Sequence, residues 1–180
     1  MKKIIFILGG ARSGKSSYAV NLAKSFGKRI VFIATCIPKD KEMRERIKSH
    51  KKFRPRTWKV IEESINLDSR LKKLKKGYDA ILIDCLGLFI SNLMEVENND
   101  KIIEKKVEKI IKQIKRSPLN SIVVSNEVGE GIVPDNPFAR RFCNLLGKTN
   151  QIFAQQADKV IMMVAGIPVI IKGEKDGVNK

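Results

Sequence analysis

The feature that most constrains this chain is a glycine-rich stretch at residues 9–16, GGARSGKS. It follows an apolar run at residues 4–8, typical of a buried strand, and precedes a segment at 17–23 that reads as a helix. A G-x-x-x-x-G-K-[ST] motif between a strand and a helix predicts a phosphate-binding loop, because glycines let backbone N–H groups reach phosphate oxygens beside a helix N-terminus. We expect Lys15 to reach the β- and γ-phosphates and Ser16 to ligate Mg²⁺. The nucleotide-binding residues predicted here are Gly9, Gly10, Ala11, Arg12, Ser13, Gly14, Lys15 and Ser16.

A second candidate for the metal is an acid at the end of another apolar run. Asp84 follows directly on residues 80–83. Placed beside the phosphate loop, its carboxylate could hold Mg²⁺ or the water shell of the ion. It could equally cap the helix that is predicted to start after it. The sequence leaves both roles open.

Apolar and polar segments alternate along the rest of the chain. Further strands are predicted at residues 29–33, 57–61, 80–84, 121–125 and 159–164, and helices at 40–52, 67–76, 86–96, 101–116 and 137–158. Residues 167–172 are expected to close a C-terminal β-hairpin. This order predicts an α/β fold with a mostly parallel sheet and helices on both faces. We expect residues 1–180 to form a single P-loop nucleotide-binding domain.

The loop after the strand at 121–125 has the composition of an active-site loop. A polar pair, Asn126 and Glu127, is followed by two glycines and, at Pro134, a proline. Loops that directly follow strands often carry function.

The net charge of +17, from 36 Lys and Arg against 19 Asp and Glu, has two interpretations. One is a polyanionic partner, such as nucleic acid or a phosphate-rich substrate. The other is that lysines cover solvated helix faces. We favour the second because the basic residues are spread along helices and are not interleaved with aromatic residues. We therefore predict no nucleic-acid partner.

Cysteine usage and hydropathy bear on the compartment. The three cysteines, Cys36, Cys85 and Cys143, are odd in number and far apart, which indicates neither a disulfide framework nor a zinc site. The apolar run at 4–8 is too short for a signal peptide and leads into the phosphate loop. No apolar run approaches the roughly 18 residues of a membrane span. We predict a cytoplasmic protein without stable membrane insertion.

Five stretches match one pattern in order along the chain. They are ILGGARSGKS at 7–16, RIKSHKKFRPRTW at 46–58, NEVGEGIVP at 126–134, ARRF at 139–142 and VAGIPVIIK at 164–172. Together they resemble the bifunctional adenosylcobinamide kinase / adenosylcobinamide-phosphate guanylyltransferases of cobalamin biosynthesis, over essentially the whole chain. The resemblance implies a P-loop NTPase-type (RecA-like) fold and a homo-oligomer, a trimer, with apolar surface on residues 86–96 as a candidate interface.

The resemblance also implies two reactions. In the first, ATP or GTP phosphorylates the aminopropanol hydroxyl of adenosylcobinamide. In the second, GTP gives GMP to a histidine, with loss of pyrophosphate, and adenosylcobinamide phosphate takes the GMP to form adenosylcobinamide-GDP. The matching histidine is His50, the only histidine in the chain. Besides residues 9–16, the implied GTP contacts are Ala34, Thr35, Cys36, Lys51, Lys52, Phe53, Arg54, Glu62 and Asp84.

The chemistry around His50 agrees with this role. A neutral imidazole is a competent nucleophile near pH 7, and neighbouring cations favour its neutral form. They would also stabilise a triphosphate in the transition state. These cations are Arg46, Lys48, Lys51, Lys52, Arg54 and Arg56.

Two other functions are compatible with a phosphate loop and a basic chain. A P-loop switch or motor ATPase would turn over without a small-molecule acceptor and would not need His50. A nucleic-acid-binding protein would bind with a steep salt dependence, but two tyrosines and one tryptophan are few for stacking on bases. The sequence leaves open whether ATP or GTP drives the kinase step and whether both activities are retained.

Overall fold

The computed structural model describes residues 2–38, 40–41, 44–45, 54–74 and 77–174. The strands within these ranges are β1 (Ile4–Gly9), β2 (Ile30–Ala34), β3 (Lys59–Glu62), β4 (Ala80–Asp84), β5 (Asn120–Val124), β6 (Lys159–Val164) and β7 (Ile167–Lys172). The helices are α1 (Lys15–Ser25), α2 (Leu67–Lys72), α3 (Leu86–Val96), α4 (Asp100–Arg116) and α5 (Pro137–Gln156). Most of the helix predicted at 40–52 lies outside the described residues.

All seven strands belong to one sheet in the order β3-β2-β4-β5-β1-β6-β7. The first six run parallel, and β7 pairs antiparallel with β6 as the predicted hairpin. Because parallel strands end at a common edge, the loops after β1 to β5 converge on one side of the molecule. The P-loop strand β1 lies inside the sheet, between β5 and β6.

Helices cover both faces of the sheet, and β1 shows why. Ile4 and Phe6 belong to one buried cluster with α3, α4 and α5, whereas Ile5 and Ile7 belong to the other with α1. Successive side chains of a strand point to opposite faces, so a continuous apolar run fits a strand that is covered on both sides. The ring of Phe6 packs against that of Phe153 with centroids 5.6 Å apart. The predicted α/β fold is confirmed.

Three predicted features differ from the structure. The second helix ends at Lys72 rather than at residue 76. The last helix ends at Gln156, two residues early, and Asp158 beyond it accepts a hydrogen bond from the Ile4 backbone N–H at 2.7 Å. The apolar residues of α3 do not form an external surface, because the helix packs against α5 and α4 and buries most of its length. This leaves little apolar surface for the interface predicted on residues 86–96, where Val96 is 62% exposed, and the oligomer contact itself stays a prediction.

None of the helices in the described part of the chain is long and apolar enough to cross a membrane.

Candidate functional site

The phosphate loop joins β1 to α1 and bends back on itself. Gly14 has a φ of 87°, and α1 begins immediately after it at Lys15. The Gly10 carbonyl accepts hydrogen bonds from Lys15 Nζ at 2.8 Å and from the Ser13 backbone N–H at 3.3 Å. Lys15 is buried, and the first turn of α1 contains no acid that would compensate the positive end of the helix dipole. The loop therefore presents a lysine and a helix N-terminus to the same side.

The loop fits a phosphate group. Ser13 Oγ is buried and has no hydrogen-bond partner among the described residues, although a buried hydroxyl normally has one. A Cβ on Gly9 would collide with Ser13 Oγ and lie 2.9 Å from the Met163 carbonyl oxygen. Only a glycine at position 9 lets Ser13 and the backbone of β6 come this close to the chain. The unpaired hydroxyl and the exposed backbone N–H groups are the donors that a phosphate would take up.

The tip of the C-terminal hairpin contacts the phosphate loop. The Gly166 backbone N–H donates to the Ser13 carbonyl at 3.1 Å. A Cβ on Gly14 would lie 3.4 Å from Gly166 Cα. The sequence predicted the hairpin but not this contact, because no local pattern indicates that β6 pairs with β1.

Three of the predicted GTP contacts lie in a row across neighbouring strands. Ala34 is paired in register with Glu62 of β3 and with Asp84 of β4. At about 4.8 Å per strand, Asp84 lies about 10 Å from β1, with β5 between them. Asp84 therefore shares the edge with the phosphate loop but is not directly beside it. Continued in register, the row reaches Val124 of β5 and Ile7 of β1, two residues before Gly9. From β3 to β1 it spans about 19 Å, comparable to an extended nucleoside triphosphate.

Arg54 lies over this row. Its guanidinium carbon is 4.0 Å from the centre of the Phe32 ring, and its Nε and Nη1 atoms are buried without a hydrogen-bond partner among the described residues. Burial lowers the pKa of Arg54, and the charges of Asp84 and Glu62 act against that effect. Unpaired guanidinium donors suit an anionic ligand. A cleft of about 480 Å³ opens here, lined by Arg54, Pro55, Arg56, Trp58, Val60 and Glu62.

Thr35 turns its side chain into the protein. Its hydroxyl donates to the Cys85 carbonyl at 2.7 Å and accepts from the Cys85 N–H at 2.9 Å. The Thr35 carbonyl accepts from Asn92 Nδ2 of α3 at 2.8 Å. Thr35 therefore ties the ends of β2 and β4 together.

Cys85, and not Asp84, occupies the N-cap position of α3. Burial raises the pKa of the Cys85 thiol to about 12. A helix-capping role for Asp84 thus has no support in the structure, whereas the metal role remains a prediction. The described residues contain no group of three or more His, Cys, Asp or Glu side chains that could hold a metal ion. A bound Mg²⁺ would need ligands from the nucleotide phosphates and water, as is usual for this ion.

Glu127, one of the polar pair in the predicted active-site loop, adjoins the phosphate loop in the structure. Its backbone N–H donates to the Gly9 carbonyl at 3.0 Å, so it adjoins the phosphate loop. Its Oε1 accepts from the N–H groups of Val128 and Gly129 at 2.9 and 2.8 Å. The sequence indicated an active-site loop at 126–134. Only the sheet order, with β5 next to β1, brings Glu127 to the phosphate loop.

A buried amide on α5 holds the end of β5. Asn150 Oδ1 accepts from Ser125 Oγ at 2.6 Å, and its Nδ2 donates to the Asn126 carbonyl at 3.0 Å. The Ser125 backbone N–H in turn donates to the Ile7 carbonyl of β1 at 2.9 Å. These contacts set the position of the loop relative to the phosphate loop. His50, Lys51, Lys52 and Phe53 lie outside the described residues.

A mostly parallel sheet with a phosphate loop between β1 and α1 defines a P-loop nucleotide-binding protein. Two solved structures share this RecA-like fold. A KaiC-like protein of Pyrococcus horikoshii aligns with a TM-score of 0.52 at 14% identity, over 89% of this chain and 70% of that one. The RadB recombinase aligns with a TM-score of 0.53 at 12% identity, over 89% and 73%. At these identities the likeness concerns the fold alone.

The chain belongs to the cobinamide kinase / cobinamide phosphate guanyltransferase family, whose model matches residues 5–171. It is 36% identical to the bifunctional adenosylcobalamin biosynthesis protein CobP of Pseudomonas aeruginosa, over 93% of this chain and 96% of that protein. It is also 36% identical to the bifunctional adenosylcobalamin biosynthesis protein CobU of Salmonella typhimurium, over 94% and 99%. The resemblance predicted from the sequence, and with it the enzyme class, is confirmed.

Proposed function

We propose that this chain phosphorylates adenosylcobinamide with ATP or GTP and then transfers GMP from GTP to the product, giving adenosylcobinamide-GDP and pyrophosphate. The observation that carries the proposal is an intact phosphate loop, with an unpaired buried Ser13 hydroxyl, in a member of this family. A homo-oligomer, a cytoplasmic location and the lack of a nucleic-acid partner stay predictions.

In the kinase step, the aminopropanol hydroxyl oxygen attacks the γ-phosphorus, the bond from that phosphorus to the bridging oxygen breaks, and the nucleoside diphosphate leaves. Lys15 and the N-terminus of α1 would stabilise charge on the transferred group and on the leaving oxygens. Ser16 and Asp84 are the residues that would hold Mg²⁺, which neutralises phosphate charge when bound. The hydroxyl proton passes to a base or to solvent.

In the guanylyl transfer, a His50 ring nitrogen attacks the α-phosphorus of GTP. A P–N bond forms as pyrophosphate leaves, and the phosphate loop is suited to hold that pyrophosphate. The phosphate oxygen of adenosylcobinamide phosphate then attacks the same phosphorus, the P–N bond breaks, and His50 is regenerated. Phosphoryl transfers of this kind depend mainly on positioning and charge stabilisation.

The row of strand ends supplies candidate contacts for the rest of the GTP molecule. Arg54, which lines the same cleft as Glu62, offers unpaired donors to the GTP molecule. The carboxylate of Glu62 could accept hydrogen bonds from the two adjacent N–H groups of guanine, in the cleft that Glu62 and Arg54 line. The four strand spacings from β3 to β1, about 19 Å, support one extended GTP that reaches from the cleft to the phosphate loop.

The first experiment incubates the protein with Mg²⁺ and GTP labelled at the α-phosphate, followed by denaturation. We expect an acid-labile, base-stable label on the protein that is absent in His50→Ala. Because His50 would act as nucleophile and not as the main binding group, the variant should retain most nucleotide affinity. Equal loss of binding and labelling would count against the covalent role.

A second assay follows transfer of the γ-phosphate of ATP or GTP to adenosylcobinamide. We expect Lys15→Ala to lower kcat on the order of a hundredfold or more. Lys24→Ala, an exposed lysine in the last turn of the same helix, is the matched control and should leave kcat unchanged. Nucleotide hydrolysis without an acceptor, and with a dispensable His50, would instead favour a switch ATPase.

A further inference from the structure

We infer that the loop after β5, residues 126–136, is the binding element for the corrinoid acceptor, and that the corrin ring lies against Ile132 and Val133. We name these residues the acceptor loop. The inference rests on the proposed function and adds to it a place for the larger substrate. It follows from the position, the anchoring, the exposure and the charge of the loop.

The acceptor loop starts beside the phosphate loop. The Glu127 N–H donates to the Gly9 carbonyl at 3.0 Å, and Ser125 is bonded to Ile7 of the same strand. An acceptor hydroxyl must meet the γ-phosphorus where the phosphate loop opens, at the C-terminal edge of the sheet. The acceptor loop leaves the sheet at this edge, so a molecule bound to it has its reactive arm within reach.

Both ends of the acceptor loop are held. At the first end, Glu127 Oε1 accepts from two backbone N–H groups, those of Val128 and Gly129. At the other end, Asn136 caps α5 by accepting from the Phe138 N–H at 2.8 Å. Arg140 Nη1 donates to the carbonyls of Pro134 and Asp135 at 2.8 and 2.6 Å. The segment between these two ends, residues 130–133, is therefore exposed to solvent and does not pack against the protein.

The exposed segment is apolar. Ile132 is 98% exposed and Val133 is 76% exposed, the two highest values among the large apolar residues that the structure describes. Single exposed apolar residues need no explanation, but an adjacent pair at the rim of a nucleotide site marks a contact surface. A corrin ring has apolar faces and methyl groups that such a pair can cover.

The charge of the acceptor loop separates it from the rest of the chain. Residues 126–136 contain Glu127, Glu130 and Asp135 and no Lys or Arg, in a protein with a net charge of +17. Three acids disfavour a nucleotide or a nucleic acid as the occupant. Adenosylcobinamide carries a single net positive charge, and its peripheral amides can donate hydrogen bonds to carboxylates. The loop and this acceptor are complementary in charge.

The test uses a double variant, Ile132→Asn with Val133→Asn, and a matched control, Ile102→Asn, which changes an exposed apolar residue on α4. Equilibrium dialysis with adenosylcobinamide measures Kd, and the γ-phosphate transfer assay measures KM for both substrates. We expect Kd and KM for adenosylcobinamide to rise on the order of tenfold or more, because two apolar contacts are lost. KM for the nucleotide and labelling from GTP should not change, and the control should match wild type.

Several outcomes overturn the inference. One is a double variant that binds adenosylcobinamide as well as wild type does. Another is an equal rise in KM for both substrates. A third is a changed molar mass in light scattering, which would make the acceptor loop an interface between copies of the chain. Should the double variant not fold, Glu130→Lys at an exposed position replaces it, and unchanged Kd would then refute the charge complementarity. Failure of the wild type itself to bind or phosphorylate adenosylcobinamide would refute the proposed function instead.

Discussion

Gly9 and Gly10 are neighbours in the phosphate loop, yet the fold constrains them differently. A Cβ on Gly9 would collide with Ser13 Oγ and come within 2.9 Å of the Met163 carbonyl, whereas a Cβ on Gly10 would have no atom within 4 Å. The G-x-x-x-x-G-K-[ST] motif requires a glycine at position 9 and leaves position 10 open. Gly9 is required because β6 and the loop approach it from two sides. The carbonyl oxygen of Gly10 accepts a hydrogen bond from Lys15 Nζ.

We predict that Gly9→Ala lowers the free energy of unfolding by about 1–3 kcal/mol, the usual cost of forcing extra atoms into a packed site. Gly10→Ala is the matched control and should change it by no more than about 0.5 kcal/mol, since the new methyl group meets open space. Urea denaturation of both variants without nucleotide measures the difference. Equal destabilisation would show that the collision at Gly9 is relieved by movement of the loop.

At the scale of elements, α5 positions the active-site end of β5. Asn150 is buried in the middle of the helix, where an apolar residue would be expected from its neighbours Leu146 and Phe153. Its amide holds both Ser125 Oγ and the Asn126 carbonyl. Because both groups are buried or nearly so, removing the amide leaves them without partners, which is more costly than the hydrogen bonds themselves are worth.

We predict that Asn150→Leu destabilises the protein by about 2 kcal/mol or more. Adding Ser125→Ala to that variant should recover about 1 kcal/mol, because the orphaned hydroxyl is removed as well. Thermal or urea unfolding of the two single variants and the double variant completes the cycle, with the exposed neighbour change Gln151→Leu as control. Strictly additive effects would mean that Asn150 and Ser125 do not act as a pair.

At the scale of the whole molecule, the edge strand β7 exposes apolar side chains to solvent. Ile167, Val169 and Ile171 are 65%, 48% and 62% exposed. They alternate along the strand and so share one face. Exposed apolar edge strands are sites of association unless they are covered. With the face of α3 buried, β7 is the better candidate for the predicted homo-oligomer contact.

We predict that Val169→Lys lowers the molar mass measured by light scattering towards the 20.3 kDa of one chain, because a lysine must be desolvated in an apolar contact. Ile102→Lys on α4 is the control and should leave the assembly intact. A wild type that is already a monomer, or a variant with unchanged mass, would contradict the assignment to β7.

Much of the fold could be predicted from the sequence because its signals are local. The strand, glycine turn and helix at residues 4–25 follow one another directly, and the helix predicted at 101–116 is observed as α4, Asp100–Arg116. The ends of the helices were predicted less accurately. The predicted helix at 67–76 stops at Lys72, and the sequence contains no proline or glycine at that point to indicate it.

The site could be predicted only in part. The sequence named Gly9 to Ser16, Arg54, Glu62 and Asp84, and the structure brings them to one edge of the sheet. It placed Glu127 in an active-site loop without predicting its contact with Gly9, and it missed Asn150, since an asparagine in a helix is common. For Thr35 it predicted a GTP contact. The structure shows the Thr35 hydroxyl hydrogen-bonded to the Cys85 backbone, so a nucleotide could contact only the backbone of Thr35.

By itself the sequence determined the phosphate loop, the alternation of strands and helices, and the family, because each depends on residues close together in the chain. Only the tertiary structure decided the strand order, which places β5 between Asp84 and the phosphate loop, sets Glu127 against Gly9 and rests the Gly166 turn on Ser13. Strand order depends on which apolar faces are buried against which helices. That is a property of elements far apart in sequence, and no local pattern encodes it.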